Sequence, residues 1–167
     1  KQFLLNMYPD MQAEYQRWEA GHRLPGGLYW QGDVQDGMEE SISGGRRKRY
    51  ARPTINSYMY GNAQALANIA TMVGDQQKAA LYTQKADTIK QLVQTKLWNT
   101  RHNFFETSRI DSMANVREAI GFIPWYFNLP DKNTYDIAWK QLMDPEAFLA
   151  PYGHTTAERR HPLFRTH

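Results

Sequence analysis

The hydrophobic positions fall into stretches of helical period separated by stretches with none. Leu4, Met7, Met11, Tyr15 and Trp18 recur at steps of three or four and predict a helix over about residues 1–20. Pro9 lies inside this stripe, so the helix is expected to start near it or to kink there. Gly21 and Pro25-Gly26-Gly27 end the pattern. A second stripe follows Arg52-Pro53-Thr54: Ile55, Tyr58, Met59, Asn62, Leu66, Ile69 and Val73, with Ala63, Ala65, Ala67 and Ala70 offering small faces for a close neighbour. Gly74-Asp75 closes this helix and opens the next, in which Tyr82, Ala86, Ile89, Val93 and Leu97 keep the period. The two form a helical hairpin with a very short turn.

Beyond Trp98-Asn99, Asn103 to Glu106 reads as a short extended piece. A third helical pattern is predicted from about Ser112 to Tyr126, carrying Val116, Ala119, Ile120 and Ile123, with Pro124 disturbing its end. After the turn Leu129-Pro130-Asp131, a fourth is predicted from about Asn133 to Met143, with Tyr135, Ala138, Trp139 and Leu142 on one face. From Pro145 the period is lost. Phe148 to Gly153 reads as a loop with one short strand, and Thr155 to His167 as a polar end without a helix. The expected fold class is all-α, consecutive helical hairpins forming part of an (α/α)6 toroid in which inner helices line a funnel and outer helices cover them. Roughly two and a half hairpins over residues 1–167 cannot close a ring of six, and stacked hairpins need neighbours to bury both faces. The chain is therefore expected to be a fragment of a larger barrel, completed by the rest of a parent chain or by another chain.

One stretch stands outside every period. Gly27 to Gly45, GLYWQGDVQDGMEESISGG, carries four carboxylates, Asp33, Asp36, Glu39 and Glu40, beside Leu28, Tyr29 and Trp30, and is punctuated by glycines. A loop this long and acidic between two helices points to function.

Composition narrows the classes. Hydrophobic residues make up 41% and charged residues 22% of the 167, which fits a globular chain rather than a disordered one. No run reaches the ~18 apolar residues of a membrane span, so no membrane partner is expected. There are no cysteines, which excludes disulfides, zinc–thiolate sites and cysteine nucleophiles. The net charge of +3 comes largely from Arg46, Arg47, Lys48 and Arg49, a run better read as a solvated balance to the acids upstream than as a phosphate grip; no nucleic-acid partner is expected. His102, His154, His161 and His167 lack the spacing of a helix-borne zinc pair, and Asp33, Asp36 and Glu39 do not match a calcium loop. No nucleophile elbow and no phosphate loop is present, so neither a metal nor a cofactor is expected. Five Trp and ten Tyr permit stacking on the apolar faces of sugar rings.

The segment Arg52 to Glu106, PTINSYMYGNAQALANIATMVGDQQKAALYTQKADTIKQLVQTKLWN followed by NFFE, resembles one hairpin of the six-hairpin glycosidases. The resemblance is to the trehalase, processing α-glucosidase and mannosylglycerate hydrolase-like enzymes. Tyr15, Trp18 and Gly27-Leu28-Tyr29-Trp30 fit the segment before their acidic loop, and Ile120-Gly121-Phe122-Ile123-Pro124 and Ala150-Pro151-Tyr152-Gly153 fit the next hairpin and its loop. The resemblance implies an inverting glycoside hydrolase acting on an oligo- or polysaccharide, with a periplasmic or secreted location. Gly37-Met38-Glu39-Glu40-Ser41 matches the Gly-Met-Asp-Asn-Ser motif that carries the general acid, which puts Glu39 at that position. Glutamate there lengthens the arm by one methylene, and Glu40 and Asp36 are the alternates. The family's general base lies on a later hairpin, beyond this stretch, so the fragment alone is expected to be inactive.

Inversion needs a protonated and an ionised carboxyl ~6.5–9.5 Å apart on opposite sides of the scissile bond. Two groups on one short loop approach a sugar from the same side, which also favours a distant base. The remaining candidates each keep two readings. Tyr29 and Trp30 cap the core or form a sugar platform. Arg52 holds a loop carboxylate or binds hydroxyls, and Asn56 is a buried capping amide or a hydroxyl ligand. Tyr152 stands in a loop near the funnel mouth, whereas Trp18, Trp98, Trp125 and Trp139 fit core packing. The rival function is a non-catalytic carbohydrate-binding or helical scaffold module.

Overall fold

Three long helices dominate the chain: α1 (Gln2–His22), α2 (Pro53–Met72) and α3 (Gln76–Lys96). The structure is a computed structural model that describes residues 2–38 and 41–166. Helix α1 begins well before Pro9 and runs through it. The ring there removes one backbone bond of the ladder and does not set the helix start.

Helix α2 starts where its sequence predicts, because Arg52 is extended and Pro53 occupies the first turn, where a missing N–H costs nothing. It stops at Val73, and Gly74 takes the left-handed conformation (φ 80°) that reverses the chain. Asp75 then caps α3, its carboxylate accepting from the Lys78 amide at 2.9 Å. The two helices zip together through Met59, Ala63, Leu66 and Ala70 on one side and Tyr82, Ala86, Ile89 and Val93 on the other, all buried. The alanines let the helices approach, as their spacing foretold. Helix α1 lies against α2, and its buried Tyr15 meets Tyr82 of α3 edge-on at 5.7 Å.

The second half is less helical than its sequence pattern. Strands β3 (Trp98–Asn99) and β4 (Phe104–Phe105) form a tight antiparallel hairpin, Trp98 opposite Phe105, as the extended reading of Asn103 to Glu106 anticipates. The helix predicted over Ser112–Tyr126 does not form. Residues up to Glu118 run in irregular extended backbone, with the Ala114 amide bonded to the Thr107 carbonyl (2.9 Å) and Asn115 at φ 56°. A 3-10 turn, Ala119–Phe122, then leads into the single-turn helix α4 (Ile123–Tyr126), which Pro124 helps to start rather than end. The helix predicted over Asn133–Met143 is a 3-10 segment, Asp136–Met143, whose only buried residue is Ala138. Apolar spacing here reports individual anchors in an aromatic core: Phe104, Phe122 and Phe148 pack on one another, with Trp125 and Trp139 beside them. Trp98 and Trp125 join this cluster to the helical core. A last hairpin, β5 (Leu149–Ala150) with β6 (Gly153–His154), precedes an end without helix.

Phe105 has no exposed surface and touches Trp98, Trp125 and Tyr135. Phe105→Ala should cost about 3–5 kcal/mol through lost burial and a residual cavity. A urea melt of the variant against wild type measures it.

Candidate functional site: a clamped acidic loop

The non-periodic stretch is a loop closed at its neck. Strand β1 (Trp30–Gln31) pairs antiparallel with β2 (Tyr50–Ala51), Trp30 opposite Ala51, so residues 32–49 leave and return at one point beside the start of α2. The first part of the loop is a 3-10 turn, Asp33–Asp36, terminated by Gly37 at φ 74°. Gln35 accepts from the Gly32 amide (3.1 Å) and Asp33 from the Val34 amide (3.0 Å), local bonds that Asp and Gln supply at such turns.

Beneath the loop lies Arg52, wholly buried although it is a cation. Its Nε makes an ion pair with Asp36, whose side chain is equally inaccessible. Nη1 donates to the Ser43 hydroxyl (3.1 Å) and Nη2 reaches that of Ser41 (3.5 Å). Ser43 also contacts the Thr107 hydroxyl at 2.9 Å and donates to Glu118. The other Glu118 oxygen accepts from the amides of Ile42 (2.8 Å) and Ser43 (3.4 Å). A methyl group on Gly44 would stand 2.6 Å from Cβ of Asp33 and 2.7 Å from Arg52 Nη1, so only glycine allows the chain to pass this close.

Burial pushes the Asp36 carboxyl above the usual aspartate range, and the Arg52 charge and hydrogen bond only partly oppose this. Its second oxygen and the hydroxyl of Thr54 are both buried without a hydrogen-bond partner among the described residues.

Of the acids singled out by sequence, Asp36 is thus committed to Arg52, whereas Glu39 and Glu40 lie outside the described residues. The other candidates separate clearly. Asn56 is fully buried and gives both amide N–H groups to main-chain carbonyls, those of Tyr29 (2.9 Å) and Arg52 (2.8 Å), while its oxygen takes the Tyr29 amide (2.8 Å). It staples the loop's entry to the start of α2. Tyr29 is only 2% exposed, its hydroxyl donates to Glu19 (3.3 Å), and burial pushes its pKa to about 12. Trp30 is half-buried, stacked on His22 at 4.3 Å with the Arg49 guanidinium 4.9 Å from its ring centre. Tyr152 is fully exposed at the β5–β6 turn. Arg46 to Arg49 stand in solvent.

Sequence reasoning missed Ser43, Thr107 and Glu118 altogether. Glu118 stands 75 and 76 positions from the amides it binds, and no local period signals such a contact. A second buried cluster was also missed. Glu106 accepts from Asn99 (2.9 Å) and meets His102 at 2.5 Å, and burial raises its carboxyl despite both. Among the described residues, no three His, Cys, Asp or Glu side chains are grouped to hold a metal, and no helix is long and apolar enough to cross a membrane.

A clamped acidic loop mounted on the start of α2 is thus the feature that the long helices of this chain carry. The model of the mannosylglycerate hydrolase MGH1-like glycoside hydrolase domain matches residues 1–167, and the chain belongs to that family. No curated protein matches it. A solved structure described as a sialidase is 67% identical and superposes with a TM-score of 0.96, over 98% of this chain and 15% of its own. A GH63 mannosylglycerate hydrolase from Thermus thermophilus, solved in complex with glucose, is 13% identical with a TM-score of 0.58, over 80% of this chain and 30% of its own. An uncharacterized conserved protein from the same organism gives the same identity and TM-score over 72% and 29%. The two Thermus likenesses establish the fold alone, and with it the all-α, (α/α)6 class. The chain spans between 15% and 30% of the length of these three proteins.

Arg52→Met should destabilise the protein by about 3–5 kcal/mol, because it strands a buried carboxylate. With the cation gone, the Asp36 pKa rises further above its unfolded value. The folded state then holds a proton that the unfolded state releases, so stability falls as pH rises. Melting temperatures of variant and wild type should diverge from pH ~4 to pH ~7, the variant losing more at the higher pH.

Proposed function

We propose that this chain supplies the general-acid loop of an inverting glycoside hydrolase acting on an oligo- or polysaccharide, with Glu39 as the acid. The observation that carries the reading is the commitment of Asp36. Its carboxylate is buried in an ion pair with Arg52, which leaves the proton-donating role to Glu39, with Glu40 in reserve. Both glutamates stand in the sequence between two fixed points, the 3-10 turn ending at Gly37 and the Ser41–Ser43 segment bonded to Arg52 and Glu118. A loop held at both ends can deliver a proton at a set position, which general acid catalysis requires.

The general base belongs to a part of the protein outside these residues. Asn56, Tyr29 and Arg52 serve the sugar indirectly, by holding the loop's stem, while Trp30 and Tyr152 retain exposed aromatic surface for stacking. Phe3, Leu4 and Met7 of α1 and Tyr58 of α2 are exposed apolar groups. Between the two helices lies a cavity of about 390 Å³ lined by Met7, Met11, Tyr15, Trp18 and Leu66 among others. The rest of the parent chain, packing here, would complete the barrel. This stretch alone is then inactive.

The test uses the full-length protein and a panel of aryl glycosides and oligosaccharides. Glu39→Gln should lower kcat by about 10²–10⁴-fold on poor leaving groups and far less on nitrophenyl ones, with sugar binding retained. Wild-type rates from Glu39→Gln together with a dead Glu40→Gln would move the acid by one residue. Proton NMR of the first-formed anomer checks the stereochemistry, and retention would rule out inversion. Binding without turnover by the wild type across the panel would instead support a carbohydrate-binding module.

A further inference from the structure

We propose that Glu118 is a positioning residue for the acidic loop, a clamp supplied from outside the loop and its helix. The inference rests on the reading that this loop carries the general acid. Glu118 is 3% exposed, and among the described residues all its side-chain hydrogen bonds go to the loop: Oε1 accepts from the amides of Ile42 and Ser43, and Oε2 takes the Ser43 hydroxyl. These bonds lock the returning limb of the loop. The departing limb is locked separately, by Asp36 on Arg52. Ser43 connects the two locks, because its hydroxyl meets Arg52 on one side and Glu118 and Thr107 on the other.

The clamp has its own support. The backbone of Glu118 pairs with Ala157 as an isolated antiparallel bridge. The Ala119 amide donates to the Thr156 carbonyl (2.8 Å) and the Glu158 amide to the Arg117 carbonyl (3.0 Å). Arg117 also makes an ion pair with Glu158 at 2.5 Å and donates to the His102 carbonyl at 3.0 and 3.2 Å. Residues near the end of the chain thereby hold the carboxylate that holds the loop. The hydrogen-bond partners of this buried carboxylate are N–H and O–H groups of the loop. What it contributes is the position of the main chain at Ile42 and Ser43, next to the segment proposed to carry the acid.

Displacement of a catalytic group by about an ångström can cost on the order of 10²-fold in rate without loss of affinity. In the full-length protein, Glu118→Ala should therefore reduce kcat by roughly that factor while KM changes by less than about threefold. Hydrogen exchange at the Ile42 and Ser43 amides should accelerate. Glu118→Gln keeps a carbonyl for those two amides and should restore most of their protection and part of kcat. Ser43→Ala, which removes only the hydroxyl bridge, should show the same kcat-selective loss in smaller measure, and serves if Glu118→Ala does not fold. Unchanged kcat and unchanged exchange in the folded variants would overturn the clamp. A loss confined to KM would overturn it too, since that marks substrate contact. Glu39→Gln in parallel separates the two proposals: if it remains active the acid assignment falls, whereas the clamp stands or falls on exchange at Ile42 and Ser43.

Discussion

A single buried guanidinium organises this chain. Desolvating a cation costs several kcal/mol unless its hydrogen bonds are met, so an Arg with no exposed surface dictates what must surround it. Around Arg52 those demands are met by Asp36, Ser41 and Ser43, all on the loop. The dependence runs both ways. The loop has no apolar stripe with which to fold itself, and Arg52 gives it a polar core in place of a hydrophobic one. Because Arg52 is the residue before Pro53, that core is rigidly tied to the first turn of α2. Asn56, one turn on, takes the Arg52 carbonyl and both backbone groups of Tyr29, so entry and exit of the loop share one scaffold.

Backbone geometry keeps this polar core compact. Gly37 turns the chain at positive φ after Asp36, and Gly44 admits the returning chain between Asp33 and Arg52. The α2–α3 hairpin supplies the mass behind it, through alanine contacts that bring the helices together and a capped turn at Gly74-Asp75. The aromatic cluster around Phe104 and Phe105 carries the chain from this hairpin to Thr107 and Glu118, which meet the loop from its far side.

The long helices were legible in the sequence because each buries one continuous face, and a period of 3.6 records that directly. Val116, Ile120 and Trp139 also fit a helical period, yet they lie in extended or 3-10 backbone. There the aromatic core recruits residues one at a time, and spacing carries no information about the path between them. For the loop, the sequence displayed four acids without ranking them. The pairing of Asp36 with Arg52, 16 positions away, sets it apart from the others by burial, which spacing does not display. Asn56 had two open readings in the sequence, and its three main-chain bonds place it in the frame. Glu118 was invisible because its partners are brought near only by the folded chain.

The loop is also divided into a half tied to buried groups and a half that is not. Asp36, Ser41, Ile42 and Ser43 are tied to the buried Arg52 and Glu118, so a change of length among them would put Ser43 or Asp36 out of reach of Arg52. The remainder, Arg46 to Arg49, stands in solvent and returns to the sheet at β2, with the Arg49 guanidinium over Trp30. Insertions and deletions can accumulate in that half without disturbing the other. The length and charge of the exposed half can thus change while the frame built on Arg52 keeps its length.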